Sequence, residues 1–243
     1  MPAGEAEIAA AWLLERFPAG FEEKGLGEST ELAVYTDVAG EAALREAFSD
    51  VSSGVVEPGW EDGWKAFHQP VRAGGLWIGP PWLDPPAGDI AVVVDPGRAF
   101  GTGAHPTTRA CIDLLAGLDR CSVLDAGCGS GVVSVAAARL GFSPVHAVDL
   151  DDVAVEVATA TALTNGVDVR VSRADVLADE LPATDVVVAN IELAVVERLL
   201  QRVRSPVALT SGYFASETPA APGWTHVSRL ELDGWAADVL RAK

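Results

Sequence analysis

The sequence predicts an α/β fold: a doubly wound, mostly parallel sheet in roughly the last three-fifths of the chain, preceded by a small α+β unit. Three observations predict it. From residue 91 onward, apolar runs of strand length alternate with stretches of helical periodicity, the pattern of a parallel sheet covered by helices on both faces. One strand runs into Gly127-Cys128-Gly129-Ser130-Gly131 and a helix follows, which is how such sheets build a ligand-binding turn. Near the end, Asp233-Gly234 separates two strand-like runs and signals a hairpin that adds an antiparallel edge.

In chain order, residues 1–56 form the small unit. Ile8, Ala9, Trp12, Leu13 and Phe17 have helical spacing within 6–17; 31–36 reads as a strand, 40–48 as a helix and 53–57 as a short strand. Residues 57–90 are a linker, where Pro58, Pro70, Pro80, Pro81, Pro85 and Pro86 interrupt regular structure and Trp60, Trp64, Trp77 and Trp82 either pack across an interdomain cleft or simply anchor the linker to the core. Residues 91–243 are the main domain. Its strands are read at 91–94, 122–125, 144–149, 167–171, 185–189, 207–210, 225–232 and 236–241. Its helices are read at 106–118, 131–140, 153–164 and 193–203.

Composition narrows the function classes. The chain has 243 residues, 49% of them hydrophobic and 21% charged, as in ordinary globular proteins. A formal net charge of −18 repels phosphate backbones and anionic lipid, so direct nucleic-acid binding is not expected and a basic protein or small cation suits better. There is no run that suggests a membrane span or a secretion signal. Cys111, Cys121 and Cys128 lack metal-ligand spacing, and their odd number argues against a disulfide framework, so the expectation is a cytoplasmic protein without metal.

The chemistry concentrates at strand ends. In Val123-Leu124-Asp125-Ala126-Gly127-Cys128-Gly129-Ser130-Gly131 the glycines permit close backbone approach to a ligand. Asp125 precedes them, where an acid would repel a pyrophosphate but suits a cofactor bearing an ammonium and a sulfonium. Asp149 ends the next strand and can accept both hydroxyls of a ribose, whereas Asp151 suits the cap of the following helix. Asp175 follows the third strand and can accept from an adenine amine; a solvated loop aspartate is the plainer alternative. Asn190 ends the fourth strand, either facing the ligand or capping the next helix. Upstream, Asp95-Pro-Gly-Arg-Ala-Phe-Gly-Thr-Gly-Ala-His-Pro-Thr-Thr108 is a shaped loop, with Pro106 in the first turn of a helix.

These segments together resemble the bacterial ribosomal protein L11 methyltransferases, the PrmA family. The resemblance is carried by Asp95–Thr108, Val123–Gly131, Val148-Asp-Leu-Asp151 and Val186-Val-Val-Ala-Asn-Ile191, with Trp60–Lys65, Gln69–Val71 and Pro80–Trp82 in the linker. It implies a seven-stranded class I methyltransferase domain of Rossmann-like topology behind a ferredoxin-like substrate-recognition domain. It also implies S-adenosylmethionine as cofactor and methylation of lysine and N-terminal amines of a basic ribosomal protein. By motif position, the family's cofactor contacts fall on Thr108, Gly127, Asp149 and Asn190, with Phe100, Gly101 and Thr102 in the same loop; Gly129, Asp125 and Asp175 complete the residues expected to bind the cofactor. Asn190 and His105 are the expected catalytic pair, with Glu192 able to help position the amine. One departure is that the family's first domain usually opens with a strand, whereas a helix is read first here. Competing readings are a methyltransferase for another protein lysine or a small amine, a nicotinamide-dependent oxidoreductase, which the glycine spacing and Asp125 oppose, and a non-catalytic binding module.

Overall fold

The computed structural model describes residues 9, 12, 13, 16, 22–26, 29–34, 36, 38–54, 68–96 and 101–243. The chain divides into two compact units, Met1–Glu61 and Asp62–Lys243.

In the smaller unit, β1 (Glu22–Leu26) and β2 (Ser29–Ala33) form an antiparallel hairpin, followed by α1 (Val38–Ala47). The described residues of the first expected helix, Ala9, Trp12, Leu13 and Arg16, are all helical, and Ala9 and Leu13 are buried. Trp12 meets Phe48 edge-on at 5.1 Å. Of the strand expected at 53–57, residues 53 and 54 are not in a strand and the rest lie outside the described residues.

The stretch read as an irregular linker carries regular structure. β3 (Val71–Ala73) and β4 (Leu76–Gly79) form a hairpin, and β5 (Ala91–Val93) adds to β4 in parallel. The prolines fall outside these short strands, so they bound the elements instead of preventing them. β5 therefore does not begin the large sheet, as its place in the alternation suggested. Its backbone pairs with a side chain: Asn165 accepts from Val93 N at 2.8 Å and donates to Val93 O at 2.7 Å.

The seven-stranded sheet has the order β11-β12-β10-β9-β6-β7-β8. Its strands are β6 (Val123–Ala126), β7 (Val145–Asp149), β8 (Val169–Arg173), β9 (Val186–Asn190), β10 (Val207–Phe214), β11 (Trp224–Leu232) and β12 (Trp235–Ala242). All pairings from β8 through β10 are parallel, and the terminal hairpin adds β12 and β11 antiparallel. Alternation sorts the two faces. Val123, Val186 and Val188 pack with α2 (Pro106–Ala116) and α3 (Val132–Arg139). Leu124, Ala126, Val187 and Ala189 pack with α5 (Leu193–Leu200). Between β7 and β8, α4 (Asp152–Asn165) starts at the cap formed by Asp151, which accepts from Val153 N at 2.9 Å, as its sequence position predicts.

Asp238, in the middle of β12, is fully buried. It accepts from Arg229 Nε at 2.9 Å and Nη2 at 2.8 Å, pairs with His226 Nε2 at 2.6 Å, and accepts from Tyr213 Oη at 2.8 Å. Burial alone would raise its pKa, but the hydrogen bonds from Arg229, His226 and Tyr213 outweigh it and hold the carboxyl below the usual range. A depressed folded-state value stabilises the fold above the ordinary carboxylate range, and the contribution fades as pH falls through the folded value. Asp238→Ala is expected to cost ~1.5–3 kcal/mol at neutral pH, with a smaller difference from the wild type in acid, measured by urea unfolding across pH. An unchanged midpoint at neutral pH would contradict this account of the hairpin.

Candidate active site

The carboxyl ends of β6, β7, β9 and β10 and the start of β12 open on one side of the large sheet, where doubly wound folds bind ligands. A cleft of about 860 Å³ lies there. It includes Gly127, Gly129, Asp149, Asp175, Asn190, Glu192, His105 and Trp235 in its wall.

The glycine turn sits between β6 and α3, with Gly127, Gly129 and Gly131 at φ of 79°, 52° and 77°. A Cβ on Gly131 would stand 2.9 Å from Ala158 Cβ, so the third glycine serves helix packing, whereas the first two line the cleft. Asp149 is held from two sides: Oδ2 accepts from Gly129 N at 2.9 Å and Oδ1 from Asp151 N at 3.0 Å. The carboxylate is thereby fixed beside the turn with its remaining lone pairs available to a ligand. Asp175 accepts from Leu177 N at 2.8 Å, a local loop turn within the wall.

Asn190 does not cap α5, whose N-cap is Glu192. Its Nδ2 instead donates to Thr108 Oγ1 at 3.3 Å, joining β9 to α2. This leaves the side-chain carbonyl as the acceptor turned to other partners. His105 is the N-cap of α2 and accepts from Thr107 N, with Nδ1 2.8 Å from Thr107 Oγ1. Its ring meets Trp235 edge-on at 4.9 Å, and Trp235 stacks on Phe214 at 4.6 Å. Burial pushes the His105 pKa down, favouring the neutral imidazole.

The expected site residues therefore separate into groups. His105, Gly127, Gly129, Asp149, Asp175 and Asn190 come together in the wall. Thr108 is buried behind Asn190. Gly101 and Thr102 are not in the wall; the Gly101 carbonyl accepts from Ser130 Oγ, which ties that loop to the glycine turn. Phe100 lies outside the described residues. Asp125 does not reach the cleft either. Strand alternation turns it to the α3 face, where it is buried and accepts from Ser134 Oγ at 2.5 Å. It ties β6 to α3, and burial lifts its carboxyl to about 6. Among the described residues no His, Cys, Asp and Glu group is arranged to hold a metal ion, and the three cysteines are free thiols.

Gly212 and Trp235 are among the wall residues that sequence reasoning missed. Gly212 interrupts β10 at a register shift between Ser211 and Tyr213, with φ of 101°. A lone glycine inside a strand pattern signals a bulge or a close backbone approach, and this one was there to be read. Trp235 opens β12 immediately after the Asp-Gly turn; an antiparallel strand beside β10 must begin at the parallel strands' carboxyl edge.

Comparison with known proteins gives a consistent result. A model of the family described as ribosomal protein L11 methyltransferase (PrmA) matches residues 26–217. The L11 methyltransferase of Legionella pneumophila (strain Lens) is 35% identical over 206 residues, covering 78% of this chain and 70% of that protein. That of Caldanaerobacter subterraneus is 38% identical over 157 residues, covering 62% and 51%. Thus the chain spans between about half and seven-tenths of the length of the curated relatives it matches. A crystal structure of the ribosomal protein L11 methylase from Lactobacillus delbrueckii subsp. bulgaricus superposes with a TM-score of 0.66 at 26% identity, over 72% of this chain and all of that one.

Two expectations follow from the packing of this site. A Cβ on Gly212 would lie 2.1 Å from the Ile191 carbonyl oxygen, so Gly212→Ala should lose ~1–3 kcal/mol of stability, more than Gly75→Ala, where no atom lies within 4 Å. Equal losses in thermal unfolding would refute the close approach. For Asp125, the folded state keeps its proton to higher pH than the unfolded state, so its burial erodes stability as pH rises through about 4–6. Asp125→Asn should gain on the wild type by up to ~3 kcal/mol between pH 4 and pH 7; a constant difference would show that the carboxyl is not so perturbed.

Proposed function

The chain belongs to the ribosomal protein L11 methyltransferase (PrmA) family, and from that premise we propose that it is an S-adenosylmethionine-dependent N-methyltransferase of lysine side-chain and N-terminal amines on a ribosomal protein. One observation carries the reading: Asp149, held beside the glycine turn, and Asn190, held by Thr108, share a single cleft at the sheet's carboxyl edge.

The residues present suit the cofactor. Gly127 and Gly129 leave the backbone open to close approach, Asp149 offers acceptors for ribose hydroxyls, and Asp175 offers one for the adenine amine. When bound, the cofactor supplies a sulfonium methyl, the electrophile of the reaction. The protein's part is position and exclusion of water. The acceptor nitrogen must be neutral to attack, and Asn190 Oδ1 can accept one of its N–H bonds, aiming the lone pair at the methyl carbon. His105 forms part of the adjoining wall as a neutral ring. The residues of the wall would thus hold and orient the acceptor nitrogen and exclude water from it, and the proton that the amine gives up would leave to solvent at the cleft mouth.

The charge of −18 fits a basic protein as substrate and opposes nucleic acid. The reading places the enzyme in the cytoplasm, near ribosomes; no helix among the described residues is long and apolar enough to cross a membrane. Asp62–Lys243 forms the methyltransferase domain in this reading, and Met1–Glu61 contributes to substrate recognition.

Incubation with labelled S-adenosylmethionine and purified L11 should place label on lysines or the N-terminus of L11, read by mass spectrometry. Cofactor binding with label only on other proteins of a lysate would move the substrate assignment, and no cofactor binding would overturn the reading. Asp149→Ala should weaken cofactor affinity about 10- to 150-fold, the loss of ~1.5–3 kcal/mol of hydrogen bonding to a charged group. Asn190→Ala should instead slow transfer about 100-fold, the scale of a misplaced nucleophile, with a much smaller change in cofactor affinity.

A further inference from the structure

Glu192 stands two residues beyond Asn190 and lines the same cleft, with its side chain exposed. It occupies the N-cap of α5, yet its side chain makes no capping hydrogen bond. Only its main-chain carbonyl serves the helix, accepting from Val195 N and Val196 N. The other carboxylates in the wall are engaged by backbone amides: Asp149 by Gly129 and Asp151, Asp175 by Leu177. Among the described residues Glu192 is thus the wall carboxylate that no donor occupies. Among the described residues no lysine or arginine shares the wall to neutralise it. Trp235, in the same wall, presents an aromatic ring of the kind that attracts cations.

We propose that Glu192 is a specificity-determining residue on the acceptor side of the cleft, selecting primary alkylammonium groups over neutral chains of the same shape and drawing them toward Asn190. The proposal rests on the methyltransferase reading for its purpose but concerns binding alone. An amine arrives at neutral pH as its ammonium, so recognition acts on the cation even though transfer requires its neutral form. A carboxylate at an exposed cleft mouth gives a modest, salt-sensitive attraction. The competing structural use is a charge favourable to the α5 N-terminus, which would influence stability and not ligand choice.

The test is a titration of the protein saturated with S-adenosylhomocysteine, at low ionic strength, with Nα-acetyl-lysine N-methylamide and its norleucine counterpart. The wild type should prefer the lysine probe by about two- to fivefold, the range of an exposed ion pair, and lose the preference in ~0.5 M salt. Glu192→Gln should abolish the preference by weakening the lysine probe alone, and Glu192→Lys should reverse it. A preference that persists in Glu192→Gln overturns the proposal, and if the melting temperature also falls, Glu192 belongs to the helix terminus. The titration needs no turnover. Absence of methyl transfer to L11 with the lysine preference intact would therefore count against the ribosomal reading and leave the selection by Glu192 standing.

Discussion

The cleft depends on a constraint at the sheet edge: three strand ends converge more closely than side chains allow. Ile191 is the meeting point. A Cβ on Gly127 would lie 2.4 Å from its Cγ2, and one on Gly212 would lie 2.1 Å from its carbonyl oxygen. The glycines after β6 and within β10 therefore enclose the residue after β9 from both sides. Both have positive φ, so the turn geometry and the missing side chain are demanded together. The bulge at Gly212 bends β10 toward Ile191, whose amide donates to Ser211 O at 3.2 Å. This convergence sets Ile191, and with it the neighbouring Asn190, at the cleft wall.

On this frame the two sides of the cleft are held differently. The side assigned to the cofactor is built from backbone: the Gly129 and Asp151 amides fix the Asp149 carboxylate, and the Gly127 and Cys128 amides donate to Val148 O at 2.8 and 3.0 Å. Such groups are oriented before a ligand arrives, which lowers the cost of binding it. The acceptor side is built from side chains on separate elements, with Asn190 on β9, Thr108 and the His105 cap on α2, and Trp235 on β12. A cofactor common to many enzymes can be met by main-chain geometry, whereas an acceptor that differs between enzymes is met by residues free to vary.

Where periodicity and local chemistry coincide, the sequence was legible. The buried runs of β6, β7 and β9, the Asp151 cap and the hairpin at Asp233-Gly234 were all readable, because each depends on neighbours within a few residues. Residues 71–93 were not legible as a sheet. Its strands are three or four residues long, and one edge is paired by the side chain of Asn165, more than 70 positions away. Asp125 was recognised as important, but its direction was not legible. A motif shows that an acid precedes the turn, while only strand parity shows which face it joins: Val123 is on the α3 side, so Asp125 is as well.

The same parity argument gives the buried Asp238 a reason beyond stability. Trp235 enters the cleft only because β12 lies in one register against β10, with Trp235 opposite Phe214 and Asp238 opposite Thr210. A slip of one residue would turn every β12 side chain to the other face and remove the aromatic wall. Apolar packing penalises such a slip weakly here, since alanines and valine occupy much of the strand. Asp238 penalises it strongly. It joins Tyr213 on β10 with His226 and Arg229 on β11, and a slipped strand would bury the carboxylate without its donors. A group costly to bury, placed three residues from Trp235, thus fixes the register on which the acceptor wall depends.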